Sequence, residues 1–128
     1  MAKKILVVDD DQDMLRLLNA RLKSQGYEVA FAQDGVSCIS QARRGKPDLI
    51  LLDLGLPAGD GYKTLERIRG LLPLADTPVI VYTAQSEETA RQKAMSAGAD
   101  MFFEKTVDKE ELLAAIWGAL EGKSTQPI

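Results

Sequence analysis

The chain of 128 residues has no histidine, a single cysteine and few aromatic residues. Each shortage excludes a class of chemistry. Without histidine there is no histidine-based catalytic triad and no zinc site built on imidazole, and the chain cannot form a phosphohistidine of its own. The one cysteine, Cys38, allows no internal disulfide. Set among apolar helical positions, it is expected to be a buried structural thiol in a reducing cytoplasm. No apolar run approaches the roughly 20 residues of a membrane helix, and no signal peptide precedes Lys3. A net charge of -3 gives no general attraction to nucleic acid or to an anionic membrane. Basic clusters such as Arg43, Arg44 and Lys46 read as helix closures, where cations complement the dipole.

What is present centres on Leu49-Ile50-Leu51-Leu52-Asp53-Leu54-Gly55-Leu56-Pro57. An apolar run bounded by Pro47-Asp48 and by Gly55/Pro57 reads as a strand buried on both faces. Burying a lone carboxylate is costly, so Asp53 at its end needs a partner, a metal or a chemical task. Other apolar runs behave alike. A strand from Lys3 to Asp9 runs into Asp9-Asp10-Asp11, and another, Val79 to Thr83, opens after Pro78. Tyr27 to Ala32 and the short Met101-Phe102-Phe103 complete five strands, the last leading to Lys105.

Helices are expected between them: Gln12 to Gln25 with Gly26 past its end, Asp34 to Arg44, Gly61 to Leu72, a Ser86-capped helix to Ala97, and Asp108 to Gly122. Leu54 to Asp60 reads as a loop, and residues 123–128 as a frayed tail after a single domain over 1–122. Strands alternating with helices imply right-handed crossovers and a parallel sheet covered on both faces, a three-layer α/β sandwich.

Open α/β sheets bind ligands at the carboxyl ends of their strands. There this chain places Asp9, Asp10, Asp53, Thr83 and Lys105. Two carboxylates about 4 Å apart repel by roughly 4 kcal/mol at an effective dielectric near 20. A hard divalent cation such as Mg²⁺ relieves this and prefers oxygen ligands. Carboxylates, a metal, a hydroxyl and an ammonium suit phosphoryl chemistry, with Asp53 as the central nucleophile. Asp11 fits better as a solvated residue at a helix start.

These residues carry a resemblance. The chain is similar to the CheY-like receiver domain of two-component response regulators over about Lys3 to Leu120. The match rests on Val7-Val8-Asp9-Asp10, the Asp53 segment through Asp60-Gly61, Val81-Tyr82-Thr83-Ala84, Ala97-Gly98-Ala99-Asp100 and Lys105. The resemblance implies a doubly wound, flavodoxin-like (βα)5 fold with strand order 2-1-3-4-5. It implies that Asp53 accepts a phosphoryl group from a sensor histidine kinase, a histidine phosphotransfer protein or acetyl phosphate. It also implies Mg²⁺ (or Mn²⁺) on Asp10, Asp53 and the Gly55 carbonyl, with Asp9 acting largely through water. Catalysis is then limited to the chain's own phosphorylation and dephosphorylation.

Three positions depart from the common family form. Thr106 follows Lys105 where proline after a cis bond is usual; a cis bond before a non-proline costs about 3–4 kcal/mol, so a trans bond is expected. Gly55 stands where the family often has a larger side chain, and with Gln85 it flanks the phosphoryl position. Phe102 occupies the aromatic switch position and partners Thr83, either as switch or as plain core. In the last helix Leu113 and Trp117 either widen the buried face or form part of an interaction surface with helix four and strand five, for a downstream target or a second copy. No output segment follows Leu120, so the chain reads as a stand-alone module or as a segment of a longer regulator. Rival readings are a receiver-like interaction domain that takes no phosphate and a small Mg²⁺-dependent phosphatase, which lacks room for a cap.

Overall fold

The computed structural model describes residues 2–56 and 60–121, with only the backbone of residue 60. The expected tail 123–128 and part of the expected loop 54–60 lie outside the described residues. Five parallel strands, β1 (Lys4–Val8), β2 (Glu28–Ala32), β3 (Leu49–Leu52), β4 (Val79–Thr83) and β5 (Met101–Glu104), form one sheet in the order β2-β1-β3-β4-β5. Five helices alternate with them: α1 (Gln12–Ser24), α2 (Gly35–Gly45), α3 (Asp60–Gly70), α4 (Glu87–Ala97) and α5 (Lys109–Glu121). This is the expected flavodoxin-like topology. The third helix is shorter than expected, because Gly70 and Pro73 end it and a 3-10 turn, Leu72–Leu74, follows.

Side-chain alternation along each strand sorts the core into two layers. Leu6, Val8, Ile50, Leu52, Val79, Val81 and Phe102 face α2, α3 and α4. Ile5, Val7, Leu49, Leu51, Ile80 and Tyr82 face Leu15, Leu18 and Leu22 of α1 and Leu112, Leu113 and Ile116 of α5. Every residue of β3 is buried, as the run of four aliphatics required. At roughly 1.5–3 kcal/mol for each buried aliphatic side chain, such strands can carry polar groups at their ends. Cys38 is fully buried in the first layer, and burial, with Asp34 nearby, pushes its thiol up to about 12; it is a structural residue.

Local signals set the helix starts. The Asp11 carboxylate accepts from the N–H groups of Asp13 and Met14, which confirms it as a helix cap. Asp34 and Ser37 cap α2 reciprocally, and Ser86 accepts from the Thr89 N–H. Asp108 accepts from the Glu110 N–H at 3.1 Å.

At the opposite end of the sheet from the acidic residues, Arg69 ties the end of α3 to the loop before β4, to the connection between α4 and β5 and, through Asp100, to the start of β4. Its guanidinium donates to the carbonyls of Gly98 (2.8 Å), Ala75 (3.2 Å) and Thr77 (2.6 Å), and to Asp100 Oδ2 at 2.7 Å. Asp100 Oδ2 also accepts from the Val79 N–H at 2.8 Å. Removing this side chain strands several partly buried acceptors at once. Arg69→Ala is expected to destabilise the protein by about 2–4 kcal/mol, and Arg69→Lys to recover only the smaller part, since lysine lacks the fork. Urea unfolding checks this through a lowered midpoint at constant slope.

Candidate functional site

Asp9, Asp53 and Lys105 each sit one step past a strand, yet their backbones are still held by the neighbouring strand. The Asp9 N–H donates to the Ala32 carbonyl and the Asp53 N–H to the Val8 carbonyl, both at 3.0 Å; the Lys105 N–H donates to the Thr83 carbonyl at 2.7 Å. The parallel ladder therefore delivers three charged side chains to one edge with little backbone freedom. Thr83 is itself the last residue of β4 and is 1% exposed. Its Oγ1 accepts from the Gln85 N–H at 3.4 Å.

The side chains then meet. Lys105 Nζ lies 2.7 Å from Asp9 Oδ2 and 3.1 Å from Asp53 Oδ2. The second oxygen of each carboxylate takes a backbone N–H: Asp9 Oδ1 from Asp11 at 2.9 Å, Asp53 Oδ1 from Gly55 at 3.1 Å. Asp10 is exposed beside them and, among the described residues, has no such bond. Oxygens of Asp9, Asp10 and Asp53 all lie within 4.8 Å of one another.

Burial pushes the Asp9 carboxyl above its ordinary value; hydrogen bonds from Lys105 and the Asp11 N–H only partly offset this, and the Asp53 charge adds to it. Burial alone would depress the Lys105 ammonium, but its bonds to both aspartates and their charges outweigh this and raise it. One cation thus stands against three carboxylates. A set of oxygen donors with excess negative charge fits a hard divalent ion. Asp10, whose carboxylate makes no hydrogen bond among the described residues, could turn to such an ion without breaking a contact, whereas Asp9 and Asp53 each hold a backbone N–H on one oxygen and Lys105 on the other.

Lys105 is well placed despite Thr106. The Lys105–Thr106 bond is trans, as expected, and the two residues form the middle of a turn in which the Val107 N–H donates to the Glu104 carbonyl at 3.0 Å. A Cβ at Gly55 would meet the Asp53 carboxylate oxygens at 3.7 and 3.9 Å, ordinary contact distances, so a side chain at this position would cover further a carboxylate that is already buried. Phe102 is buried in the layer that faces α4.

The structure separates Leu113 from Trp117. Leu113, 9% exposed, belongs to the core beneath α1 and α5. Trp117, 46% exposed, lines a small cavity with Lys3, Gly26 and Tyr27. That cavity is by β2, whereas α4 and β5 belong to the other edge of the sheet. Helical spacing showed the angle between the pair and the core, but not which neighbour stands at that angle.

Three contacts escaped the sequence. Gly61 packs so closely that a Cβ would lie 2.6 Å from the Asp53 carbonyl oxygen and 2.5 Å from Leu54 Cα; its adjacency to Asp60 in the motif was the available signal. Glu104 Oε2 accepts from the Glu87 N–H at 2.9 Å, tying β5 to the start of α4. Tyr62 Oη donates to Gln85 Oε1 at 3.4 Å, beneath Lys93, whose Nζ is 4.2 Å from the ring centroid.

Comparison with known proteins agrees with this geometry. The family model described as the response regulator receiver domain matches residues 5–117. The DNA-binding dual master transcriptional regulator RpaA of Synechocystis is 37% identical over 113 residues, 88% of this chain but 47% of that protein. The chain spans about half the length of the curated relatives it matches. A CheY-like receiver domain protein of Methanospirillum hungatei superposes with a TM-score of 0.88 at 28% identity, covering 99% of this chain and 100% of that one. The receiver domain of the Pseudomonas aeruginosa sensor histidine kinase PA1611, solved with magnesium in its active-site cleft, gives 0.86 at 29% identity, covering 94% and 98%. No helix of the described residues is long and apolar enough to cross a membrane.

The raised Asp9 carboxyl has a thermodynamic sign. The folded protein holds this proton more tightly than the unfolded chain, whose value is near 3.8, so the metal-free protein loses this contribution as pH rises through the native titration of Asp9. A divalent cation favours the ionised carboxylates, so its stabilisation grows over the same window. Thermal melts with and without MgCl₂ are expected to show a larger gain at neutral than at acid pH. At about 100 times the dissociation constant the gain is roughly 2.7 kcal/mol. Asp10→Asn is expected to lose most of it; an equal gain in that variant would refute the assignment.

Proposed function

The chain belongs to the response regulator receiver domain family of two-component systems, and from that premise we propose that Asp53 is the phosphoryl acceptor of a cytoplasmic phosphorelay module spanning 1–122. The single observation that carries the proposal is the Lys105 ammonium held between Asp9 and Asp53 at 2.7 and 3.1 Å. In transfer from a kinase or phosphotransfer-protein phosphohistidine, an Asp53 oxygen forms the new O–P bond as the P–N bond breaks, and the imidazole leaves with the electron pair. Lys105 then exchanges its contact with Asp53 for one with a phosphoryl oxygen. The Gly55 N–H, which already donates to Asp53 Oδ1 at 3.1 Å, and the hydroxyl of Thr83 at the end of the neighbouring strand β4 would serve the others. Asp10 and Asp53, with the Gly55 carbonyl, would hold Mg²⁺ (or Mn²⁺), with Asp9 acting through water; such an ion, when bound, would supply positive charge beside the phosphoryl oxygens.

Hydrolysis of the acyl phosphate returns the carboxylate and releases phosphate. The chain acts as a switch and turns over no other substrate. Thr83 pairs with Glu104 of β5, and Phe102 of β5 is buried in the layer that faces α4, which supports an output through the face of α4, β5 and α5 to a separate target, a second copy or a further segment. The rival reading without phosphate rested on Thr106. Lys105 engages both aspartates regardless, which favours the acceptor.

Incubation with Mg²⁺ and acetyl phosphate is expected to add one phosphoryl group by intact mass, absent in Asp53→Asn. Lys105→Ala is expected to slow labelling by about 10²–10³-fold, the usual effect of deleting one transition-state donor. Absence of an adduct on the parent chain, or an undiminished one in Asp53→Asn, rejects Asp53 as acceptor.

A further inference from the structure

A cavity of about 540 Å³ between α2 and α3 is lined by Val36, Ile39, Ser40, Arg43, Arg44 and Arg67. None of the phosphoryl-site residues belongs to it. Every other arginine in the chain has a carboxylate partner: Arg16 has Asp13, Arg21 has Glu110, Arg69 has Asp100 and Arg91 has Glu87. Among the described residues, Arg43, Arg44 and Arg67 have none, and of the three side chains only that of Arg44 makes a hydrogen bond, to Ser40 Oγ at 3.3 Å.

Helix dipoles explain part of this. Arg43 and Arg44 lie in the last turn of α2, and Arg67 in that of α3, where a cation is favourable. The dipole does not explain why both helices direct their cations to one concavity and leave it free of carboxylates, in a chain with more acidic than basic residues. The two helices also pack closely beside the cavity. Gly35 at the start of α2 approaches α3 so closely that a Cβ there would lie 2.5 Å from Thr64 Oγ1.

We propose that this cavity is a second ligand site, which binds a compact phosphate-bearing anion. Planar guanidiniums offer paired donors that match phosphate oxygens, and Ser40 adds a hydroxyl. Val36, 76% exposed at the rim, gives an attached organic group an apolar surface. The volume suits a small molecule. A nucleic-acid duplex would need a longer basic track than one cavity on an acidic protein supplies. Inorganic polyphosphate and a nucleotide share the recognising chemistry.

Calorimetric titration of the metal-free protein at physiological salt, with sodium tripolyphosphate, ATP and hexaglutamate in turn, tests the site. Saturable sub-millimolar binding of tripolyphosphate or ATP is expected. It should weaken roughly tenfold or more in the double variant Arg43→Gln, Arg67→Gln, with melting temperature and acetyl phosphate labelling unchanged. ATP the tighter of the two identifies a nucleotide site, and tripolyphosphate the tighter an inorganic one; either supports the proposal. No saturable binding, equal binding by the double variant, or equal affinity for hexaglutamate overturns it. Arg44→Gln gives an independent variant with the same expected direction.

Discussion

The Lys105 ammonium shared by Asp9 and Asp53 is the interaction on which the functional edge of this molecule depends. Two buried carboxylates facing each other at the end of a parallel sheet would repel by several kcal/mol. One ammonium, itself largely buried, holds both. Its own desolvation is offset by the two charges it faces, which is why its proton is bound more tightly than in water. The sign follows: this contribution to stability is complete below pH 10.5, the ordinary lysine value, and is lost as pH rises through the higher native value.

Backbone pairing makes that ammonium a bridge rather than a loose surface charge. Asp9, Asp53 and Lys105 each donate their N–H to the end of the adjacent strand, so their side chains start from fixed points. The aliphatic strands beneath supply the burial that makes this pinning stable, and Gly61 brings α3 against the Asp53 carbonyl. A one-residue slip in register would turn each side chain to the other face of the sheet. The strict alternation that fills both core layers therefore also aims the site.

This explains what was legible in the sequence. Short aliphatic runs ending in Asp9, Asp53, Thr83 and before Lys105 are local signals, and the rule for ligand position in open α/β sheets converts them into one site. Caps at Asp11, Asp34 and Ser86 were equally local, because donor and acceptor lie within a few residues. Arg69 was not legible: most of its acceptors are backbone carbonyls, which have no identity in a sequence, and Gly98 and Asp100 lie some thirty positions away. Trp117 fell between these cases. Its period placed it beside the core stripe, but it lines a cavity with Tyr27, which precedes β2, and periodicity within one helix does not reveal which segment stands opposite.

The loop after Thr83 shows how a site so firmly held can still transmit a change. Thr83 is bound to Lys105 through its carbonyl and to the Gln85 N–H through its hydroxyl. Gln85 reaches Tyr62 of α3, and two residues later the Glu87 N–H is held by Glu104, the residue before Lys105. Strand β5 therefore grips both the site, through Lys105, and the first turn of α4, through Glu104. In the proposed mechanism, a Lys105 that shifts from Asp53 to a phosphoryl oxygen moves the same short turn that carries Glu104. A carboxylate on a single exposed N–H is worth about 1–2 kcal/mol, enough to bias the start of α4 by roughly tenfold and too little to lock it. A bond of that strength suits a switch, since the strong interactions stay in the sheet and the weak ones lie where the signal leaves.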